Sequence, residues 1–192
     1  MGVGILGGAF DPPHDGHVAL GRRAADHFGL RRLLVRVVVA PGHKDVVASA
    51  EARLELTRLA FAAVPEAEVS LDPFARTVDS LLALGLDDPV FVIGADQLVS
   101  FPSWQDPDRV LELARLGVAT RPGVARPELA EVIAQLSRPD RVELFALEPL
   151  PISSSEVRDR AARGASLADL VPPDVEAEIE RRQLYRRTAR LH

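Results

Sequence analysis

Strand-like segments alternate with helix-like segments along most of this sequence, and the alternation restricts the folds that it can adopt. The strand-like segments are short and rich in β-branched residues, whereas the others carry apolar residues at helical spacing. We predict strands at 3–6, 33–40, 68–71, 90–93, 117–120 and 142–145. We predict helices at 16–28, 50–63, 77–84, 107–114, 127–136, 155–163 and 174–185. This alternation is typical of an α/β protein with a parallel sheet, right-handed crossovers and helices on both faces.

Local signals mark the ends of several predicted helices. Gly29 follows the first helix and is expected to stop it at the C′ position. Thr77 is expected to cap the third helix, and Asp106 is expected to cap the helix that begins with Pro107. Because no linker, repeat or low-complexity segment divides the chain, we predict one domain over residues 1–192.

The composition argues against several classes of protein. The chain has no cysteine, which removes disulfides, thiolate metal sites and a cysteine nucleophile. Its net charge of −5 argues against general nucleic-acid binding, because such proteins are usually basic. No apolar run reaches the roughly 20 residues that a membrane span needs, and we expect no signal peptide. We therefore expect a cytoplasmic protein without a nucleic-acid or membrane partner.

The loop between the first strand and the first helix has an unusual composition. Residues 7–17 read GGAFDPPHDGH. Glycines after a strand let backbone N–H groups approach a ligand, and the start of the next helix adds a positive end. His14 and His17 are three residues apart at that start, so their side chains lie on one side of the helix. The loop predicts an anion site that fits phosphate. We predict no metal bound by protein side chains, because no third ligand is evident nearby.

This loop resembles the GGxFDPxHxGH signature of the HxGH nucleotidylyltransferases. Those enzymes move an adenylyl or cytidylyl group from a nucleoside triphosphate to a phosphate-bearing acceptor. The form with FDP is most similar to the nicotinate-nucleotide adenylyltransferases. The resemblance implies a Rossmann-like, doubly wound parallel sheet in three α/β/α layers, with a small helical portion at the C-terminus. It also implies that the histidines contact the triphosphate and that the glycines let it lie against the sheet.

A second signature lies near the C-terminus. The sequence ISSSEVR, at 152–158, is similar to the ISSTxIR signature of the family. Serines at a helix start offer hydroxyl and N–H groups to an anion, and Arg158 adds a planar charge one turn later. The sequence FVIGADQL, at 91–98, resembles the family's strand that ends in I-G-x-D and lines the adenosine pocket. The sequence TRPG, at 120–123, matches the family's xRPG, which implies that Arg121 faces the adenine.

Other segments resemble the acceptor side of the family. The sequence GHK, at 42–44, resembles a PHK or PHR loop whose basic side chains meet phosphates, although the loop is shorter here. Trp104, the only tryptophan, occupies the place of a tryptophan that stacks on the pyridine ring of the acceptor. Where the family has Ser-Tyr-Thr for the nicotinate carboxylate, this chain has Ala-Arg-Thr at 75–77. We expect Arg76 to pair with that carboxylate instead.

The resemblance assigns expected roles to three groups of residues. The donors expected to act in catalysis are His14, His17, Lys44 and Arg158. The residues expected to bind ATP are Gly7, Gly8, Ala9, Phe10, Gly94, Asp96, Arg121, Ile152, Ser153, Ser154 and Ser155. The residues expected to bind the acceptor are Asp11, His43, Arg76, Thr77 and Trp104. Ala9 departs from the family's usual Thr or Ser, which removes one hydroxyl that could reach a phosphate.

The expected reaction is adenylyl transfer from ATP to nicotinate mononucleotide, with Mg²⁺ carried in by ATP and pyrophosphate leaving. Two alternatives stay open. One is a related adenylyltransferase whose acceptor is nicotinamide mononucleotide or phosphopantetheine, and the other is a nucleotide-binding regulator without turnover. Ala9 weakly favours the regulator, whereas His14 and His17 argue against it. The sequence leaves the oligomeric state open, as monomer or homodimer.

Overall fold

Six strands form one parallel sheet within the part of the chain that the structure describes. The structure is a computed structural model and describes residues 2–42, 45–120, 126–148 and 150–186. The strands are β1 Gly2–Gly8, β2 Leu30–Val38, β3 Ala67–Asp72, β4 Val90–Gly94, β5 Arg115–Thr120 and β6 Val142–Ala146. They lie in the order β3-β2-β1-β4-β5-β6, and every neighbouring pair is parallel. The direction of winding reverses between β1 and β4, which is where open α/β sheets bind ligands.

Helices cover both faces of this sheet. Their bounds are α1 Asp15–Phe28, α2 Ala50–Phe61, α3 Thr77–Leu84, α4 Ala95–Ser100, α5 Pro107–Leu113, α6 Arg126–Gln135, α7 Ser154–Ala162 and α8 Pro173–Arg182. Two short 3₁₀ helices cover Phe101–Ser103 and Pro139–Arg141. The doubly wound, three-layer α/β fold predicted from the sequence is confirmed, with α7 and α8 as its C-terminal helical portion. The prediction of a single domain stays a prediction.

The strand β2 shows why the sheet is buried on both faces. Leu33 and Val35 are fully buried in the cluster that also contains side chains of α1, α2, α7 and α8. Leu34 points the other way, into the cluster with α3, α4, α5 and α6. Successive residues of a strand face opposite sides, so a continuous apolar run requires cover on both. Burying a Leu or Val side chain contributes about 1.5–3 kcal/mol, so each face stabilises the sheet.

One helix was not predicted. Helix α4 begins directly after β4 and has six residues, of which Ala95 and Leu98 are buried. Six residues are too few for helical periodicity to stand out in a sequence. The helix matters for the site because its first turn lies at the carboxyl edge of the sheet, the edge at which the parallel strands end.

Two predicted helix ends are confirmed in position. Gly29 ends α1 with φ 58°, the left-handed conformation that glycine adopts without penalty. Asp106 precedes α5 as its N-cap residue, and Pro107 is the first residue of that helix. The Asp106 side chain makes no capping hydrogen bond, so Asp106 occupies the N-cap position without capping the helix through its side chain.

Two other predicted ends were wrong. Arg76, and not Thr77, is the N-cap residue of α3, because its extended backbone offers the carbonyl that accepts from the N–H of Ser80 at 3.2 Å. Helix α8 ends at Arg182 and not at residue 185. Gln183 takes a φ of 56°, and this left-handed residue stops the helix and turns the chain back towards the sheet.

Candidate active site

The loop of residues 9–14 follows β1 at the reversal of the sheet and leads into α1. Phe10 lies in the left-handed region with φ 48° and is almost fully buried. Its ring packs edge-on against His17 at 5.0 Å and against Phe61 at 6.4 Å between ring centroids. An added Cβ on Gly8 would lie 3.0 Å from the Phe10 ring, so a side chain at this position would press against that ring. The structure therefore places the Phe10 ring in the core, which leaves its backbone for the predicted contact with ATP.

The two histidines lie together at the start of α1. His14 precedes the helix and His17 is in its first turn, and their ring centroids are 3.8 Å apart. The backbone N–H of His14 donates to Nδ1 of His17 at 3.2 Å. A nitrogen that accepts a hydrogen bond carries no proton, so neutral His17 keeps its proton on Nε2. The backbone thus makes Nε2–H of His17 a donor at the positive end of a fourteen-residue helix.

The C-terminal signature is bound directly to this loop. The hydroxyl of Ser154 donates to the carbonyl of Pro12 at 2.9 Å. Nη1 of Arg158 donates to the carbonyl of Asp11 at 2.6 Å, and its Nη2 donates to the hydroxyl of Ser155 at 3.1 Å. The hydroxyl of Ser153 caps α7 by accepting the N–H of Glu156. Two segments more than 140 residues apart in the sequence therefore form one structural unit.

Arg158 and the serines therefore have protein partners already. Arg158 commits part of its guanidinium to the Asp11 carbonyl, so it fixes the loop and can offer only its remaining N–H groups to a phosphate. Ser153 and Ser155 are exposed, whereas Ile152 packs partly buried against the first core cluster. The predicted roles of these residues in binding ATP stay predictions.

The predicted adenosine side lies at the end of β4, the strand next to β1. Gly94 is the N-cap residue of α4, and its N–H donates to Oε1 of Gln97 at 3.0 Å. Asp96 is exposed in the first turn of α4. An exposed carboxylate there is placed to accept from a ribose hydroxyl or to face a metal ion on phosphates. Arg121, the third predicted residue of this side, lies outside the described residues.

The predicted acceptor side contains an aromatic cluster on one face of the sheet. Trp104 is half-buried, with its ring centroid 5.3 Å from that of Phe101 and 6.3 Å from that of Phe91. Arg76 is exposed at the start of α3, and Thr77 is the first residue of that helix. Helix α3 and Trp104 contribute to the same apolar cluster. His43 and Lys44, the other predicted phosphate contacts, lie outside the described residues.

Asp11 is buried and has several protein partners. The sequence analysis placed it against the acceptor, but its side chain is only 3% exposed. Its carboxylate accepts from the N–H of Val47 at 2.6 Å, from the N–H of Ala48 at 3.1 Å and from the hydroxyl of Tyr185 at 2.8 Å. A carboxylate with three protein donors and almost no exposure acts as an anchor in this structure, and its predicted contact with the acceptor stays a prediction.

Arg53 was missed by the sequence analysis. It lies on α2, is 1% exposed, and uses its guanidinium on backbone carbonyls alone. Its Nε donates to Ala48 at 3.1 Å, Nη1 to Ala9 at 2.7 Å and to Val38 at 2.8 Å, and Nη2 to Val39 at 2.8 Å. Burial lowers the pKa of Arg53, and the charge of Asp11 opposes that effect. The available signal was an arginine within the apolar face of a helix, which must find partners inside the protein.

Metal-binding clusters and membrane-spanning helices are both absent from the described residues. There, no three side chains of His, Cys, Asp or Glu are grouped so that they could hold a metal ion. In the same parts of the chain, none of the helices combines the length and the apolar character that crossing a membrane requires.

The fold and the loop together define an open α/β protein that places two histidines at the reversal of its sheet. Sequence comparison then identifies the family: the chain belongs to the cytidylyltransferase-like family, which matches residues 5–160. A probable nicotinate-nucleotide adenylyltransferase of Bordetella avium is 36% identical over 194 residues, covering 96% of this chain and 98% of that protein. One from Thermus thermophilus is also 36% identical, over 97% of this chain and 100% of its own length. The family resemblance stated from the sequence is confirmed.

Solved structures show the same fold. The nicotinic acid mononucleotide adenylyltransferase of Plasmodium falciparum, complexed with NaAD, superposes with a TM-score of 0.80 at 16% identity. That match covers 96% of this chain and 97% of the other. The same enzyme complexed with APC gives a TM-score of 0.78 at 15% identity, over 96% of both chains. At this identity the likeness establishes the architecture alone.

Proposed function

We propose that this chain is a nicotinate-nucleotide adenylyltransferase, which transfers the adenylyl group of ATP to nicotinate mononucleotide. The products are nicotinate adenine dinucleotide and pyrophosphate, in a step of NAD biosynthesis. One observation carries the proposal: the C-terminal signature is hydrogen-bonded to the loop that places His14 and His17 at the start of α1. The names of relatives at 36% identity over nearly the full length support the substrate assignment.

The proposed reaction is a direct displacement at phosphorus. The phosphate of the acceptor attacks the α-phosphorus of ATP, a new P–O bond forms, and the bond to the β-phosphate breaks to release pyrophosphate. The site residues act by positioning the reactants and stabilising charge on the phosphates. In this proposal Nε2–H of His17, the ring of His14, Arg158 and Lys44 are the donors.

We propose that Mg²⁺ enters as a complex with ATP, because Mg²⁺ in such sites keeps phosphate oxygens and waters as ligands with few carboxylates. Asp96 fits this requirement as an exposed carboxylate at the carboxyl edge of the sheet. The ion would supply positive charge on the phosphates. Gly7, Gly8 and Gly94 would leave space for the nucleotide to approach the backbone.

The proposed acceptor contacts are Trp104 for the pyridine ring and Arg76 for its carboxylate. Arg76→Ala should then lower kcat/KM for nicotinate mononucleotide by about tenfold or more, because a charge-assisted pair is lost. The same change should leave kcat/KM for nicotinamide mononucleotide nearly unaltered. Initial rates with both acceptors measure the difference, and equal losses would contradict the role of Arg76.

The reaction itself is tested by pyrophosphate release with ATP and Mg²⁺. Nicotinate mononucleotide, nicotinamide mononucleotide and phosphopantetheine are supplied in parallel. We expect release with nicotinate mononucleotide and a loss of roughly 10²–10³ in rate for His17→Ala, the typical cost of one preorganised donor. Circular dichroism and the urea midpoint of the variant confirm that it is folded.

Each other outcome has a defined meaning. Pyrophosphate release with a different acceptor would support adenylyl transfer but contradict nicotinate mononucleotide as the acceptor. No release with any acceptor, while ATP still binds, would favour the regulator. A loss of less than about threefold for His17→Ala would remove His17 from the proposed machinery. The cytoplasmic location and the oligomeric state stay predictions.

A further inference from the structure

The carboxylate of Asp11 joins two segments that are far apart in the sequence. Its donors are the backbone N–H groups of Val47 and Ala48, 36 and 37 residues away, and the hydroxyl of Tyr185, 174 residues away. Asp11 itself belongs to the loop that leads to His14. A single buried side chain therefore connects three parts of the chain. These are the loop of residues 9–14, here called the histidine loop, the segment of residues 45–49 before α2, and the residues that follow α8.

The segment before α2 has little else to hold it. Val47 is 65% exposed, so its side chain contributes little apolar packing. Among residues 45–49, the described part of this segment, only Ala48 is buried, and its carbonyl accepts from Nε of Arg53. A segment with few buried apolar contacts opens readily unless hydrogen bonds restrain it. The bonds to Asp11 and Arg53 supply that restraint.

Tyr185 is held in a conformation that brings its hydroxyl to Asp11. It follows the left-handed Gln183 and itself has a φ of 63°. Its ring packs against the first core cluster together with Leu184. Burial, followed by the nearby charge of Asp11, raises the pKa of the Tyr185 hydroxyl, so the group stays protonated and remains a donor.

Arg53 and Arg158 hold the backbone of the same loop. Nη1 of Arg53 donates to the carbonyl of Ala9, and Nη1 of Arg158 donates to the carbonyl of Asp11. Two arginines thus hold the backbone of the loop, while the Asp11 carboxylate binds its own donors. A buried carboxylate is costly unless it is fully hydrogen-bonded, and apolar packing would supply stability at lower cost. This arrangement is therefore better explained by a need for accurate placement than by a need for stability.

We propose that Asp11 and Tyr185 are positioning residues of adenylyl transfer, which hold the histidine loop and the segment before α2 in the geometry that the reaction needs. The proposal rests on the proposed function. Neither residue touches a reacting atom in it. They act through the loop backbone and therefore through His14 and His17.

Tyr185→Phe and Asp11→Asn test the proposal. The first removes one hydroxyl from a buried carboxylate, and the second keeps the size of the side chain but replaces an accepting oxygen by a donor. We expect kcat to fall about tenfold in Tyr185→Phe and ten- to hundredfold in Asp11→Asn, the range for losing a hydrogen bond to a charged group. The KM for ATP should change less than about threefold, because placement in the transition state is what is lost.

Ser137 and Asp108 supply matched controls. The hydroxyl of Ser137 donates to the carboxylate of Asp108 at 2.7 Å, in an exposed pair. Ser137→Ala and Asp108→Asn remove the same kinds of group, and we expect both to keep kcat within about twofold of the wild type.

Amide hydrogen exchange separates positioning from simple stability. In Asp11→Asn we expect the amides of Val47 and Ala48 to exchange at least about tenfold faster, while the amides of β1 and β4 keep their protection. Unchanged kcat, or unchanged exchange at these two amides, would overturn the proposal. Faster exchange throughout the sheet would also overturn it, because the residues would then only stabilise the fold. A wild type without turnover would contradict the proposed function, whereas the exchange result would still decide whether Asp11 anchors this segment.

Discussion

Tyr185 combines three properties that seldom occur together in one side chain. It is the only tyrosine in the sequence, it is partly buried against the first core cluster, and its hydroxyl donates to a buried carboxylate. Arg53 is comparable, because its charge is buried and satisfied by carbonyls of β2, of the histidine loop and of the segment before α2. At the scale of single residues, the side chains of Asp11, Arg53 and Tyr185 therefore have fixed hydrogen-bond partners.

The raised pKa of Tyr185 predicts a dependence of stability on pH. The unfolded chain releases the phenol proton near the ordinary pKa of 10.0, whereas the folded chain holds it to higher pH. A group whose pKa is raised by folding stabilises the folded state below the unfolded value, and that contribution is lost as the pH rises above it. We expect the free energy of unfolding to fall between about pH 10 and 11 in the wild type, and to fall less in Tyr185→Phe.

Urea unfolding at pH 8 and at pH 10.5 measures this difference, and the absorbance of phenolate reports the titration of the single tyrosine directly. The folded protein should show almost no phenolate at pH 10.5, and the signal should appear when urea unfolds it. Phenolate in the folded protein near pH 10 would mean that the hydroxyl is open to solvent.

At the scale of elements, the close packing around strand β5 requires a glycine at position 117. A Cβ on Gly117 would lie 2.7 Å from Cε2 of Phe28 and 2.8 Å from Cγ1 of Val90. Gly117→Ala should therefore overpack the sheet and lower the free energy of unfolding by about 1–3 kcal/mol. Gly42→Ala is the matched control, because nothing lies within 4 Å of an added Cβ there. Urea midpoints compare the two variants, and equal midpoints would show that the Phe28 ring moves aside at no cost.

Elements whose cause is local were predictable from the sequence. The strand β2 and the end of α1 at Gly29 follow from apolar patterning and from glycine chemistry. Helix α4 is too short to show a period, and the end of α8 depends on Gln183, a residue type that does not usually mark a left-handed turn. Helix α4 and the end of α8 depend on tertiary packing, so no local sequence pattern predicts them.

At the scale of the whole molecule, the motifs of the candidate site could be predicted from the sequence. The buried side chains that hold those motifs in place could not. The histidines and the C-terminal signature could be predicted because the residue types and their spacing within each short motif already indicate anion binding. The hydrogen-bond partners of Arg53 and Asp11 depend on which backbone groups meet when the sheet forms. Asp11 was assigned to the acceptor because its motif suggested a ligand, whereas its partners lie 36 to 174 residues away. The spacing of residues within a short motif gives no information about partners so far away in the sequence.

The bonds that join the first loop to later parts of the chain also have a consequence for synthesis. Asp11 and Pro12 are bound by groups 142, 147 and 174 residues further on. The ribosome makes the loop early, and Val47, Ala48 and Arg53, which also hold it, follow within about 45 residues. The bonds from Ser154, Arg158 and Tyr185 form only after more than 140 further residues have been made. A nascent chain can pair β1 with β2 early, but the support of its histidine loop stays incomplete until translation has passed that tyrosine. Turnover should therefore begin only after synthesis has reached this point, so partly made chains would bind nucleotide poorly and would not consume ATP.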